Sequence, residues 1–174
     1  TRLSTRLPRI LFILPAFPGR TMGASSLTTP RPQPQRRFAP TLPGVTHVTY
    51  PDRYRRPEGS DPDQYALSCA RYIEERIFKT TTPPEEVAAI FVEAIQGEGG
   101  YVIAPTIFIQ ELRKICDKHG ILLVVDEVQS GAGRTGKWWA VQHNGVPPAI
   151  VASAKGTPSG LPPGLCFPKD GSRA

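Results

Sequence analysis

The sequence predicts an α/β fold built on a largely parallel sheet. Three observations predict it. VAAIFVE at 87–93, ILLVVDE at 121–127 and AIVASA at 149–154 are short, nearly continuous apolar runs, the mark of strands covered on both faces. Between the first two lies a helix pattern with both terminal signals, and strand, helix, strand, connection, strand is the grammar of an α/β sheet.

Taken in order, ILFIL at 10–14 reads as a buried strand. Arginines precede it and no acid occurs before Asp52, which loosely resembles a secretory or transit leader, but so short an apolar run reads better as the strand. TTPRPQPQRRFAPTLPG at 28–44, with five prolines and no periodicity, is expected to be a surface loop in extended conformation. VTHVTYP alternates as a strand should, and RRPEGSDPD is turn chemistry in which Asp61 or Asp63 can cap the next helix. Ala66, Cys69, Ala70, Ile73 and Ile77 then recur at three- and four-residue spacing, which predicts a helix over 63–79. Thr80 to Pro84 stop it. The second helix, over 105–119, presents Phe108, Leu112, Ile115 and Cys116 on one face, with Pro105 at its start and Gly120 just past its end.

Composition narrows the function classes. A chain of 174 residues suits one domain, and no run approaches the roughly 18 apolar residues of a membrane span. Residues 1–60 carry ten arginines against only Asp52 and Glu58, so the net charge of +6 belongs to a basic, proline-rich N-terminal part, and 61–174 form the α/β core. Those arginines are scattered between prolines without a helical face or stacking aromatics. A solvated surface therefore accounts for them better than a nucleic-acid interface. Cys69, Cys116 and Cys166 are odd in number and far apart, which fits a reduced, cytoplasmic setting.

In parallel sheets ligands bind beyond the carboxyl ends of the strands. Those ends carry Glu93 with QGEGG, Asp126 with Glu127, and Lys155. Two chemistries compete for them. Gly131 to Lys137 fits a nucleotide-binding GxxxxGK loop, but Trp138 stands where Ser or Thr must hold magnesium, and the loop follows the acidic strand itself. The other chemistry is that of a pyridine-aldehyde cofactor. Its ring nitrogen needs a buried carboxylate and its aldehyde carbon needs a lysine, the groups that Asp126 and Lys155 offer.

AFPGRTMGASSLT, FVEAIQGEGG, VVDEVQSGAGRTG and SAKGTPSGLPPG together closely resemble the class III pyridoxal-phosphate aminotransferases, and within them the bacterial and archaeal 4-aminobutyrate aminotransferases. The likeness runs from Ala16 to Gly164. It implies the fold type I pyridoxal 5'-phosphate (PLP) transferase fold, with part of its large domain present, and transfer of an amino group from an ω-amino acid such as 4-aminobutyrate to 2-oxoglutarate. By this resemblance Asp126 pairs with the cofactor ring nitrogen, Lys155 is the Schiff-base lysine and Gln129 bonds the phenolic oxygen. Phe17 stacks on the ring, Arg20 takes the substrate carboxylate, Glu98 restrains a later arginine and Glu93 lines the same site. Gly97, Gly99 and Gly100 are expected to let backbone approach the ligand, and Glu127 to be structural.

Departures from the family pattern lie beside this site: Pro18 replaces a histidine and Ala94 a proline. Nothing in residues 1–15 resembles the family's phosphate-binding turn, and its C-terminal small domain has no counterpart. The expectation is a truncated homodimeric aminotransferase using amino-acid and 2-oxo-acid substrates, the alternative being a non-catalytic remnant that associates with intact subunits.

Overall fold

Six strands form a single sheet in the computed structural model, which describes residues 5–28, 41–157 and 163–169. They are β1 (Arg9–Leu14), β2 (Val45–Thr49), β3 (Val87–Glu93), β4 (Leu122–Asp126), β5 (Ile150–Ser153) and β6 (Leu165–Pro168). Their spatial order is β2-β1-β3-β4-β5-β6. The first five run parallel and β6 pairs antiparallel with β5. Because β1 is bonded to both β2 and β3, the basic N-terminal part and the α/β core share one sheet. Most of the proline-rich loop, at 29–40, and most of SGLPPG lie outside the described residues.

Among the described residues three α-helices longer than a single turn accompany the strands: α1 (Met22–Leu27), α2 (Pro62–Tyr72) and α3 (Thr106–His119). Asp61 caps α2, its carboxylate accepting the backbone N–H of Asp63 and of Gln64. The helix does not stop at Tyr72 but passes through a π turn, Ile73–Ile77, into a last α turn, Phe78–Thr80. The apolar spacing therefore locates the whole 62–80 rod, while the π turn inside it leaves Ile73 and Ile77 both buried. α3 ends where Gly120 turns left-handed, φ 68°.

The core lies between the sheet and these two helices. Leu11, Ile13, Ile90, Val92, Leu123 and Val125 pack there with Ala66, Ala70 and Ile73 of the α2 rod and Phe108, Leu112 and Ile115 of α3. Residues alternating with them along the strands, Ile10, Phe12, Ala89 and Val124, are buried as well. Burial on both sides is what continuous rather than alternating apolar runs require. Each large side chain so buried contributes about 1.5–3 kcal/mol, so the strand ends are presented from a rigid frame. Among the described residues no helix is long and apolar enough to cross a membrane.

Candidate active site

Parallel pairing brings the carboxyl ends of β1, β3, β4 and β5 to one edge of the sheet. Glu93, the last residue of β3, is in register with Asp126, the last residue of β4, and Asp126 is in register with Ala152 of β5. Two residues past β5, a turn closed by the Thr157 N–H on the Ala154 carbonyl at 3.0 Å carries Lys155. The hydroxyls of Ser153 and Thr157, 2.8 Å apart, pin that turn.

Asp126 is largely buried, and burial raises its carboxyl above the usual range. The nearby carboxylate of Glu127 pushes the same way, while the Val128 N–H and the Lys155 ammonium oppose it. One oxygen, Oδ1, accepts the Val128 N–H at 2.9 Å. No described residue donates to Oδ2. Lys155 is exposed and forms no ion pair within 4 Å among the described residues, so its amine is free to meet a ligand. A carboxylate short of positive charge, with one oxygen uncommitted and an amine on the same edge, fits a flat cationic ring whose nitrogen carries a proton.

The glycine-rich segment after β4 serves this geometry. A Cβ on Gly156 would stand 2.9 Å from the Ala132 Cβ and 3.0 Å from the Gly131 carbonyl, so the lysine-bearing turn packs directly on GAG. That segment is a series of turns leading to the short 3-10 turn Ala140–Asn144, and Lys137 donates to the Gln142 carbonyl at 3.3 Å. A phosphate loop needs a helix starting at its lysine, so the nucleotide reading fails on structure as it did on sequence.

Glu98 and Gln129 meet at the same edge, the Gln129 amide donating to Glu98 at 3.4 Å. Gln129 packs over Gly97, where an added Cβ would lie 2.4 Å from its Cδ. Gly99 likewise faces the Gln96 side chain at 2.9 Å. These two glycines make room for neighbouring glutamines; Gly100 is a turn residue with φ 114°. Phe17 is half-buried just past β1, whereas Arg20 is exposed and has no ion-pair partner within 4 Å among the described residues. Glu127 is fully buried: it accepts the Val141 N–H at 2.8 Å and the Ser130 hydroxyl, and it does not face the ring site.

Glu93 is 9% exposed and its carboxyl is pushed up to about 7, chiefly by burial, with Asp126 and Glu98 adding repulsion. The backbone N–H groups of Gly97 and Phe17 pull the other way. Two participants were not visible in sequence. Gln96, 1% exposed, donates to the Pro15 carbonyl, and the buried Tyr50 hydroxyl donates to the Val102 carbonyl at 3.1 Å. Gln96 stands in the quoted QGEGG motif, but its partner is 81 residues away.

Comparison with known proteins converges on one family. The family model described as aminotransferase class-III matches residues 2–170. The alanine/serine racemase of Pyrococcus horikoshii is 40% identical over 165 residues, spanning 92% of this chain and 35% of that protein. The acetylornithine aminotransferase of Corynebacterium efficiens is 42% identical over 161 residues, 91% of this chain and 34% of that one. The structure of taurine:2-oxoglutarate aminotransferase from Bifidobacterium kashiwanohense, in complex with PLP and glutamate, superposes with a TM-score of 0.85 at 31% identity, covering 97% of this chain and 38% of that chain. The chain thus spans about a third of the length of the curated relatives it matches.

Proposed function

The chain belongs to the class-III aminotransferases, a PLP-dependent family, and from that premise we propose that it carries the ring-binding and lysine-bearing part of a site that moves an amino group from an ω-amino acid to 2-oxoglutarate. When bound, PLP supplies an electron sink for the carbon that loses its proton. Asp126 holds the proton on the ring nitrogen, which keeps that sink effective. Lys155 would hold the aldehyde carbon through its amine and would serve as the base that takes the substrate proton and returns it. Gln129 steadies the phenolic oxygen, Phe17 covers one ring face and Arg20 receives the substrate carboxylate.

The observation that carries this reading is the strand register: it sets Asp126 at the sheet edge within electrostatic reach of Lys155, with nothing among the described residues occupying Oδ2. The donor is the finer part of the proposal. 4-Aminobutyrate is the substrate favoured by the motif resemblance, and the relatives above are named for acetylornithine, taurine or alanine and serine. A second copy of the chain is the expected partner, by family resemblance, and light scattering checks it.

Mixing the protein with PLP, reducing with borohydride and mapping the label by mass spectrometry tests the core of the proposal. The label is expected on Lys155, with a visible absorbance band before reduction, and Lys155→Ala should lose both. A folded protein that labels other lysines equally would overturn it. The racemase relative motivates a second reading, inversion at the substrate carbon. A single enantiomer of alanine supplied without 2-oxo acid separates the two: racemisation yields the mirror image, whereas transamination stops after one turnover with pyruvate released.

A further inference from the structure

The segment after β1 and the hairpin that contains QGEGG are distant in sequence but joined by two buried side chains. Gln96 crosses from the hairpin to the Pro15 carbonyl. Glu93 accepts the Gly97 N–H at 2.8 Å, and its carboxyl lies close enough to the backbone N–H of Phe17 for that group to favour its charged form. The hairpin is itself stiff. Ile95 pairs with Ile103, the Gln96 N–H donates to Val102 at 2.9 Å, the Ala104 N–H donates to Ala94 at 3.1 Å, and Tyr50 ties Val102 from the core side.

A carboxyl that is 9% exposed, with one oxygen accepting the Gly97 N–H, would have to give up that bond and its burial to turn toward a substrate. We propose that Glu93 and Gln96 form a bracket that fixes Phe17 relative to the QGEGG hairpin, so that Glu93 is a positioning residue for the ring-stacking aromatic and not a substrate ligand. This rests on the reading above for what Phe17 faces. The bracket itself rests only on the contacts of Glu93 and Gln96.

Amide hydrogen exchange on the full chain without cofactor decides the bracket. In Glu93→Ala the Phe17 and Gly97 amides are expected to exchange about tenfold faster, while Leu123 and Val125 in the central strand keep their protection. Glu93→Gln retains an acceptor oxygen and should restore most of the difference. Should Glu93→Ala fail to fold, Gln96→Ala is expected to loosen the same Phe17 amide. An unchanged Phe17 amide in the folded variants overturns the proposal.

With PLP added, the visible circular dichroism induced by a fixed ring should fall in Glu93→Ala as it does in Phe17→Leu, and the double variant should lose no more than Phe17→Leu alone. Independent, additive losses would make Glu93 a direct ligand and overturn its positioning role. A wild-type chain that develops no visible band would sink the functional reading, and the exchange measurement would still decide the bracket.

Discussion

Glu93 and Asp126 end neighbouring parallel strands in register, two carboxyl groups brought side by side at the sheet edge. Burial raises both above the usual carboxylate range, and Asp126 adds to the shift at Glu93. The sheet therefore accumulates acidic groups whose charge is incompletely balanced by the protein itself. The Lys155 ammonium opposes the shift at Asp126 only in part, and in the reading proposed above a protonated ring nitrogen is the further complement.

Stability is expected to depend on this pair. Glu93 goes from an ordinary value of 4.5 in the unfolded chain to about 7 in the fold. Between those values the folded state binds more protons, so the contribution of Glu93 is full below about 4.5 and is lost as pH rises to about 7. The shift corresponds to about 3 kcal/mol. Urea unfolding at pH 5 and pH 8 should show the wild type losing stability over that interval, and Glu93→Gln should flatten the slope. Equal slopes in the two proteins would count against it.

Asp126→Asn should weaken PLP binding without harming the fold. Asparagine can still accept the Val128 N–H through its carbonyl, so the turn after β4 is retained. What disappears is the negative charge that, in the reading proposed above, would face the ring nitrogen. A hydrogen bond to a charged group is worth about 1.5–3 kcal/mol, or roughly ten- to hundredfold in affinity. Titration of PLP followed by absorbance checks the number, and thermal melting of the unliganded variant checks that the fold persists.

Gly156→Ala should displace Lys155. The new methyl group would meet the Ala132 Cβ at 2.9 Å and the Gly131 carbonyl at 3.0 Å, and a backbone carbonyl yields less readily than a side-chain tip. Overpacking of this kind costs about 1–3 kcal/mol. The expected signature is a lower melting temperature together with slower borohydride-trapped labelling of Lys155. Loss of stability with unchanged labelling would show that the turn moves as a unit without carrying the amine off its site.

Much of this was legible in the residues. Continuous apolar runs gave β3, β4 and β5 because burial on both faces leaves little room for polar alternation, and Pro105 with Gly120 bracketed α3. β6 was not read: LCFP is four residues long and follows a glycine- and proline-rich stretch, too short for a period to register. α1 escaped for a similar reason, its only local signal being Thr21, whose hydroxyl accepts the Ala24 N–H. At the proposed site, Asp126 and Lys155 stand out because strand ends converge in a parallel sheet and because the motifs around them resemble those of the class III aminotransferases. The Gln96 and Tyr50 contacts do not, since each depends on tertiary partners more than 40 residues distant.

Adjacent carboxylates at the end of β4 should respond in opposite ways to replacement. Successive side chains leave a strand on opposite faces, and the Glu127 N–H continues the ladder onto the Ala152 carbonyl at 2.8 Å. Asp126 is thereby turned to the sheet edge and Glu127 into the interior, where it satisfies the Val141 N–H and the Ser130 hydroxyl. Glu127→Ala would leave both buried donors unpaired, at about 1–3 kcal/mol each, and add a cavity. Glu127→Gln keeps an acceptor for one of them and should lose less. The 3-10 turn Ala140–Asn144 hangs on that contact and begins beside Trp139, which packs on Phe167 with ring centroids 5.4 Å apart. Trp139 emission, isolated in a Trp138→Phe background, should therefore shift to the red in Glu127→Ala at temperatures well below the melt. Asp126→Asn should leave the same emission unmoved, because its carboxylate supports no part of that turn.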